Sequence, residues 1–188
     1  MKIRKQFKFE SSHIVRNCST KRCSQNNHGH SGKIEVFFSA DKLDNGGMIY
    51  DFGLTKKNIG KFLDAFDHCW HFWNKEEKKI KDFIRYINAR WIELPFSPTA
   101  ENYSIYFLKA INYLLEKTPM LNGEGKIICT GVRYHETDTG YAESELKDLK
   151  WHSYYNLEDI VFSEELKKDI GDMFKEAKQP KIQEKVGD

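Results

Sequence analysis

Residues 28–40 read HGHSGKIEVFFSA, and this stretch decides the fold because apolar and polar residues alternate along most of it. Side chains of a β-strand point alternately to its two faces, so every second residue shares a face. One face collects His28, His30, Gly32, Ile34, Val36 and Phe38. If the strand is unbroken, its two histidines continue the apolar face and point inward rather than into solvent.

In the preceding segment, side chains on one face likewise recur at every second residue. Residues 3–13, IRKQFKFESSH, place Phe7, Phe9, Ser11 and His13 on one side of an extended chain. Residues 17–27 are polar and carry two cysteines, which predicts a loop between the two strands. His13 is therefore expected on the inward face of a strand that neighbours the histidine-bearing one.

Three further segments have helical spacing. Residues 51–66, DFGLTKKNIGKFLDAF, repeat apolar residues with a helical period. A second helix is predicted to begin near Ser97 or Thr99, since Glu101 favours the positive end of a helix. Residues 163–178, SEELKKDIGDMFKEAK, predict an amphipathic helix in the C-terminal tail.

Two more strands are predicted after the second helix. Residues 126–136 and 139–145 flank the turn Thr-Asp-Thr-Gly at 137–140, as in a hairpin. Residues 68–94 contain aromatic residues, a charge run and a second aromatic stretch, and they give no clear assignment. The order of two strands, two helices and two strands predicts an α+β fold of antiparallel hairpins with helices on one face.

Composition narrows the class of protein. The 188 residues are 39% hydrophobic and 31% charged, with a formal net charge of +2. That charge balance is unlike a dedicated nucleic-acid binder. No segment resembles a membrane span or a secretory signal. We therefore expect a cytoplasmic protein that binds neither nucleic acid nor membrane, whose four cysteines form no disulfide framework.

The histidines suggest a metal site. On one strand, the Cα atoms of His28 and His30 would lie about 6.6 Å apart on the same face. His13 could supply a third nitrogen, and three protein ligands leave one tetrahedral position open, as in catalytic zinc sites. The alternative is that all three are strand-end histidines bonded to the backbone. A second alternative is a closed site of Cys18, Cys23, His28 and His30, although its spacing does not match the common zinc-finger pattern.

Other residues are candidates for proton transfer. If the metal is catalytic, Cys23 becomes a candidate base or nucleophile, since a nearby cation favours the thiolate. The adjacent Asp67 and His68 could form an acid–base relay, or could be an ordinary helix end. Glu136 alone is a strand-end carboxylate beside a turn.

Six motifs follow one another along the chain. They are F-x-S-S-H (9–13), C-x4-H-G-H (23–30), G-M-x-x-D-F (47–52), D-H (67–68), P-T-A-E-N (98–102) and H-E-T-D-T-G (135–140). In this order they resemble one known family, the 6-pyruvoyltetrahydropterin synthases. Within it, the pattern is most similar to the bacterial 6-carboxytetrahydropterin synthases of the queuosine pathway. The resemblance covers about residues 3 to 143.

The resemblance implies a tunnelling fold (T-fold) over residues 1–145. In that fold an antiparallel four-stranded sheet carries two helices on one face, and subunits assemble into a barrel with active sites at their interfaces. Residues 146–188 would then be a C-terminal helical extension of unknown role. The expected assembly is a homo-oligomer.

The resemblance also implies roles for the candidate residues. It assigns Zn²⁺ to His13, His28 and His30. It makes Cys23 the proton acceptor and His68 with Glu136 a charge relay that Asp67 orients. Glu136 would also bind the amino-pyrimidine edge of the pterin, with Thr99 nearby.

The resemblance implies one reaction and leaves two alternatives. The expected reaction converts 7,8-dihydroneopterin triphosphate to 6-carboxy-5,6,7,8-tetrahydropterin, acetaldehyde and triphosphate, a carbon–carbon lyase activity. One alternative keeps fold and zinc but forms the pyruvoyl product by triphosphate elimination. The other is a non-catalytic, zinc-stabilised binding module.

Overall fold

The computed structural model describes residues 1–171, 173 and 174. Its strands are β1 (Ile3–His13), β2 (His28–Ser39), β3 (Cys69–Trp73), β4 (Trp91–Leu94), β5 (Ile128–His135), β6 (Tyr141–Glu145) and β7 (Val161–Phe162). Its α-helices are α1 (Lys21–Gln25), α2 (Ile59–Asp64), α3 (Lys78–Ile87), α4 (Ala100–Lys117) and α5 (Glu164–Ile170). Short 3₁₀ helices cover Leu54–Lys56, Leu146–His152 and Leu157–Asp159. The α+β prediction is confirmed.

The strands form one mixed sheet in the order β6-β5-β2-β1-β3-β4-β7. The predicted four strands are present and antiparallel, as β6-β5-β2-β1. The prediction that they are the whole sheet is wrong, because β3 and β4 continue it in parallel and β7 closes its end. The sequence of β3, CWHFW, is apolar on both faces, so it lacks the alternation that identifies a half-exposed strand.

The main core lies between one face of the sheet and α2 and α4. Phe9, Ile34 and Val36 supply the sheet side of this core. Tyr106, Phe107 and Ile111 are among the α4 residues that pack against it. The alternating pattern of β1 and β2 therefore faces the helices, as the sequence indicates.

Helix α3 lies on the opposite face, which corrects the expectation of helices on one face only. His71 and Ile92 are paired in β3 and β4, and both point to the α4 side. The next pair, Phe72 and Glu93, therefore points to the other side. Glu93 accepts hydrogen bonds there from two basic residues of α3, Lys81 and Arg85. These charge pairs add to the apolar stripe of the helix, formed by Ile80, Phe83, Ile84 and Ile87, of which Ile84 is fully buried.

The segment after β6 belongs to the same core. Strand β7 pairs with the outer edge of β4, and α5 follows it. Tyr155, Leu157, Phe162 and Leu166 are buried with the residues of α4. The predicted tail helix begins where expected, with the Ser163 hydroxyl accepting a hydrogen bond from the Leu166 amide. Its predicted residues beyond 174 lie outside the described residues.

Within the described part of the chain, no helix has the length and apolar character needed to span a membrane.

Candidate metal centre and active site

Three histidines converge at one end of the sheet. In the antiparallel register, His13 pairs with His28, and Ser11 pairs with His30. One ring nitrogen from each of the three histidines lies within 4.8 Å of the other two. The two strand patterns place all three imidazoles on the inward face, and the register between β1 and β2 brings them together.

Two of the three histidines have a backbone partner. His28 Nδ1 lies 3.1 Å from the carbonyl oxygen of Asn26, and the ring of His13 bonds to the backbone of Pro98. His13 Nε2 and His28 Nε2 face each other at 3.2 Å. His30 Nε2 is buried without a hydrogen-bond partner among the described residues. Metal-ligating histidines usually hold one nitrogen by such an outer contact and present the other to the ion.

The electrostatics of the cluster favour neutral imidazoles. Burial, with added repulsion from His28 and His30, lowers the pKa of His13 to about 4. Burial and the nearby His28 also lower the pKa of His30. Neutral imidazoles keep the lone pairs that a metal requires. Neutral rings at His13 and His30, the adjoining ring of His28 and an unpartnered buried Nε2 therefore fit a metal ion such as zinc.

Glu136 lies beside this cluster, just after the end of β5. Its Oε1 atom is 3.5 Å from His13 Nε2 and 3.9 Å from His30 Nε2. Burial raises the pKa of its carboxyl group, partly opposed by the charge of His28. Glu136 is thus a partly buried carboxylate at the rim of the candidate metal site.

Asp67 and His68 form a separate, well-fixed pair. Asp67 Oδ2 lies 2.6 Å from His68 Nδ1, and Asp67 Oδ1 accepts a hydrogen bond from the Glu10 amide at 2.7 Å. The His68 amide donates in turn to the Glu10 carbonyl at 2.7 Å. His68 has φ of 56°, in the left-handed region that residues other than glycine seldom occupy. Such backbone strain is concentrated at functional sites, and here Asp67 orients the exposed imidazole.

A cleft of about 400 Å³ lies beside His68 and reaches His30, the one member of the histidine cluster that lines it. It is lined in part by Glu10, Ser11, Ser12, His30 and His68. Among the described residues, Glu136 has its ion-pair contacts with His13 and His30, and it has none with His68. The relay between His68 and Glu136 therefore stays a prediction.

The two cysteines of the predicted loop do not join the histidine cluster. Among the described residues, only His13, His28 and His30 form a group with metal-binding geometry. Cys23 lies in α1, a short helix in the predicted loop, and it is a partly buried free thiol. The closed site of Cys18, Cys23, His28 and His30 is not formed.

Thr99 is the N-cap of α4. Its hydroxyl accepts a hydrogen bond from the Asn102 amide at 3.3 Å, as expected for a threonine at that position. The neighbouring Pro98 contacts His13 through its backbone, so the start of α4 lies beside the histidine cluster. Sequence reasoning did not find the contacts of Asn26 and Pro98, because a backbone carbonyl can come from any residue type.

Comparison with known proteins agrees with this geometry. The family model for 6-pyruvoyl tetrahydropterin synthase matches residues 2–147. The 6-carboxy-5,6,7,8-tetrahydropterin synthase of Helicobacter pylori (strain J99) is 45% identical over 150 residues, which is 80% of this chain and 75% of the relative. That of Haemophilus influenzae is 27% identical over 148 residues, covering 76% of this chain and 96% of the relative.

Solved structures show the same fold. An uncharacterized protein of Wolinella succinogenes superposes with a TM-score of 0.59 at 17% identity, over 78% of this chain and 98% of that one. The 6-pyruvoyl tetrahydropterin synthase of Plasmodium falciparum gives 0.55 at 15% identity, over 77% and 96%. The match over residues 2–147 and the 45% identity to a curated relative establish that this chain belongs to the 6-pyruvoyl tetrahydropterin synthase family.

Proposed function

We propose that this protein is a zinc-dependent 6-carboxy-5,6,7,8-tetrahydropterin synthase of queuosine biosynthesis. Its substrate is 7,8-dihydroneopterin triphosphate, and its products are 6-carboxytetrahydropterin, acetaldehyde and triphosphate. The 45% identity to the Helicobacter pylori enzyme of that name supports the choice of product. The single structural observation that carries the proposal is the convergence of His13, His28 and His30, with Glu136 beside them.

The three histidines would hold the zinc ion. Bound zinc acts as a Lewis acid that lowers the pKa of a hydroxyl group presented to it. Three protein ligands leave a position for the side-chain hydroxyls of the substrate. Burial of His13 and His30 keeps their rings neutral and ready for the metal.

Cys23 and His68 transfer the protons in this reaction. Cys23 removes a carbon-bound proton as a thiolate, and His68 handles the proton on the opposite side of the reacting carbon. The hydrogen bond of 2.6 Å between Asp67 and His68 supports the second role, because it fixes the tautomer and direction of the ring. Placement of Cys23 on a short helix just before β2 is consistent with the first.

Glu136 and Thr99 bind the pterin ring. A carboxylate that accepts two N–H donors from an amino-pyrimidine edge gives fixed, charge-assisted recognition. Glu136 is partly buried at the rim of the histidine cluster, and Thr99 is the N-cap of α4. The position of Glu136 beside His13, and of Thr99 next to Pro98, whose backbone bonds to His13, supports these roles.

The active protein is a homo-oligomer with its sites at subunit interfaces. Strand β1 runs from Ile3 to His13, yet β3 pairs only with its last three residues, 11–13. Residues 3–9 of β1 thus have β2 on one side and an open edge on the other, and β6 ends the opposite side of the sheet. Two complementary open edges allow strand pairing between subunits and closure into a barrel.

Product identification tests the proposal. Purified protein loaded with zinc should turn over 7,8-dihydroneopterin triphosphate, with 6-carboxytetrahydropterin detected by mass spectrometry and acetaldehyde by an enzymatic assay. A pyruvoyl product without acetaldehyde would identify the alternative synthase. Absence of any pterin product from fully loaded protein would leave the non-catalytic binding module as the better description.

A further inference from the structure

His152 is a buried histidine outside the part of the chain that matches the family. It ends the 3₁₀ helix Leu146–His152, beyond the matched residues 2–147, and is only 1% exposed. Both of its ring nitrogens are nonetheless hydrogen-bonded. A buried polar group satisfied on both sides fixes the relative position of the elements it joins.

One of those bonds reaches the start of α4. His152 Nε2 donates to Asn102 Oδ1 at 2.9 Å, and the Tyr155 hydroxyl donates to His152 Nδ1 at 2.7 Å. The direction follows from Asn102, whose Nδ2 donates to the carbonyl of Ser97 at 2.8 Å and leaves Oδ1 as the acceptor. Hydrogen bonds therefore link His152 to Asn102 and Asn102 to Ser97 without interruption.

The loop held in this way carries active-site contacts. Ser97 is followed by Pro98, whose backbone bonds to the ring of His13, and by Thr99, whose hydroxyl accepts from the Asn102 amide. The Asn102 side chain and main chain thus hold both ends of the turn 97–99, which faces the histidine cluster. A shift of this turn would rotate the imidazole of His13.

The His152 ring is itself held rigidly. It stacks on Phe96 with ring centroids 5.1 Å apart and planes at 27°. Lys109 Nζ donates to the carbonyl oxygens of His152 and Tyr155 at 3.0 and 2.6 Å. Burial, with the nearby Lys109 charge, lowers the pKa of His152 to about 4, so the ring keeps one neutral state near neutral pH.

We propose that His152 is a positioning residue of the active site, which acts through Asn102 on the turn 97–99 and on His13. The C-terminal segment thereby positions active-site residues in addition to packing in the hydrophobic core. This role rests on the proposed function where it concerns turnover, and on the histidine cluster alone where it concerns metal binding.

The test uses three variants of the full-length chain. His152→Phe keeps an aromatic ring against Phe96 and removes the hydrogen bond to Asn102. His152→Gln keeps an N–H donor for Asn102. Leu157→Ala is the matched control, because it removes a buried side chain from the same segment and leaves these hydrogen bonds in place.

Three quantities are measured at a temperature where all variants are folded. They are the Zn²⁺ dissociation constant by competition with a chromophoric chelator, the visible spectrum of the Co²⁺-loaded protein, and kcat and KM for 7,8-dihydroneopterin triphosphate. We expect His152→Phe to weaken Zn²⁺ binding by about tenfold, to change the Co²⁺ spectrum and to lower kcat. His152→Gln and Leu157→Ala should stay close to the parent protein in all three.

A further variant covers the case in which His152→Phe does not fold. Asn102→Asp keeps an acceptor for His152 and removes the donor to Ser97, so the same changes are expected. Equal losses in Leu157→Ala and His152→Phe would overturn the proposal, as would unchanged metal affinity and spectrum in both His152→Phe and Asn102→Asp. If the parent protein binds Zn²⁺ but forms no pterin product, the proposed function fails, and the metal measurements still decide the role of His152.

Discussion

Cys23 and the three histidines lie in different elements, so substitution can separate their roles. Cys23→Ala should retain zinc, because the proposed ligands are His13, His28 and His30, which have metal-binding geometry without the cysteine. Turnover should fall by about 10²–10⁴-fold, the usual contribution of a positioned acid or base. Zinc content by elemental analysis and steady-state kinetics on the same sample check this.

Cys18→Ala is the matched control for Cys23→Ala. Cys18 lies before α1, and its thiol donates to the nearby Thr20 carbonyl. Its removal should leave both zinc content and turnover near those of the parent protein. Loss of zinc from the Cys23 variant would instead support the binding-module alternative.

Asp67 has a role that a single isosteric change can isolate. Burial tends to raise the pKa of its carboxyl group, but hydrogen bonds from the Glu10 amide and from His68 bring it below the usual value. Asp67→Asn should keep the local fold and lose the charge that orients His68. We expect kcat to drop by at least about tenfold with unchanged zinc content. Asp64→Asn, on the preceding helix, should have no such effect in the same assay.

At the scale of elements, the start of α4 combines stability with function. Thr99→Ala removes the N-cap hydrogen bond to the Asn102 amide and should lower the free energy of unfolding by about 1 kcal/mol. Thr99→Ser keeps an oxygen there and should be near neutral. Urea denaturation of the metal-free protein measures both. If Thr99 also contacts substrate, KM should rise in the alanine variant and stay unchanged in the serine variant; equal stability of the two variants would contradict the capping role.

At the scale of the whole molecule, buried neutral histidines should make the metal-free protein sensitive to acid. Burial is the main cause that lowers the pKa of His71 to about 3 and that of His152 to about 4, against 6.5 for an ordinary histidine. As pH falls below 6.5, the unfolded chain takes up protons that the folded chain does not. The free energy of unfolding should therefore decrease from about pH 6.5 toward about pH 4.

Urea midpoints of chelator-treated protein between about pH 7.5 and about pH 5 measure this dependence. His71→Phe should be less stable at the higher pH, since it leaves the hydroxyl of Tyr103 without its partner, but should show a shallower slope. A pH-independent midpoint for the parent protein would contradict the expectation.

Assembly is also a property of the whole molecule. The open edges of β1 and β6 should pair between subunits, so native mass spectrometry and sedimentation should show a species larger than one chain. Since the active sites are expected at the interfaces, dilution to monomer should abolish turnover. A fully active monomer would contradict the proposed assembly.

Local pattern was enough to predict part of this molecule. The period-2 alternation of residues 3–13 and 28–40 predicted two strands, their inward faces and three inward histidines. Short-range signals likewise predicted the start of α4 near Ser97 or Thr99, where Thr99 is the N-cap, and the start of the tail helix at Ser163. These features depend on neighbouring residues and on one buried face, which sequence records directly.

Other elements could not be derived in this way. Residues 51–66 predicted one helix, yet the structure has a 3₁₀ helix at Leu54–Lys56 and a short α-helix at Ile59–Asp64. Strand β3 is covered on both faces, so it has no one-sided apolar pattern, and its assignment required knowledge of partners that are remote in the chain. Helix α3 does have such a pattern at Ile80, Phe83, Ile84 and Ile87, but it lies within a run of charged residues that hides it.

The sequence by itself determined the histidine set, the strands that carry it and the family to which the chain belongs. Only the tertiary structure decided that Pro98 holds His13, that Asp67 and Glu10 fix His68, and that His152 reaches Asn102. The physical reason is that strand parity and helix caps are local properties. Hydrogen bonds between distant segments depend instead on register, on layer order and on backbone carbonyls that every residue type provides.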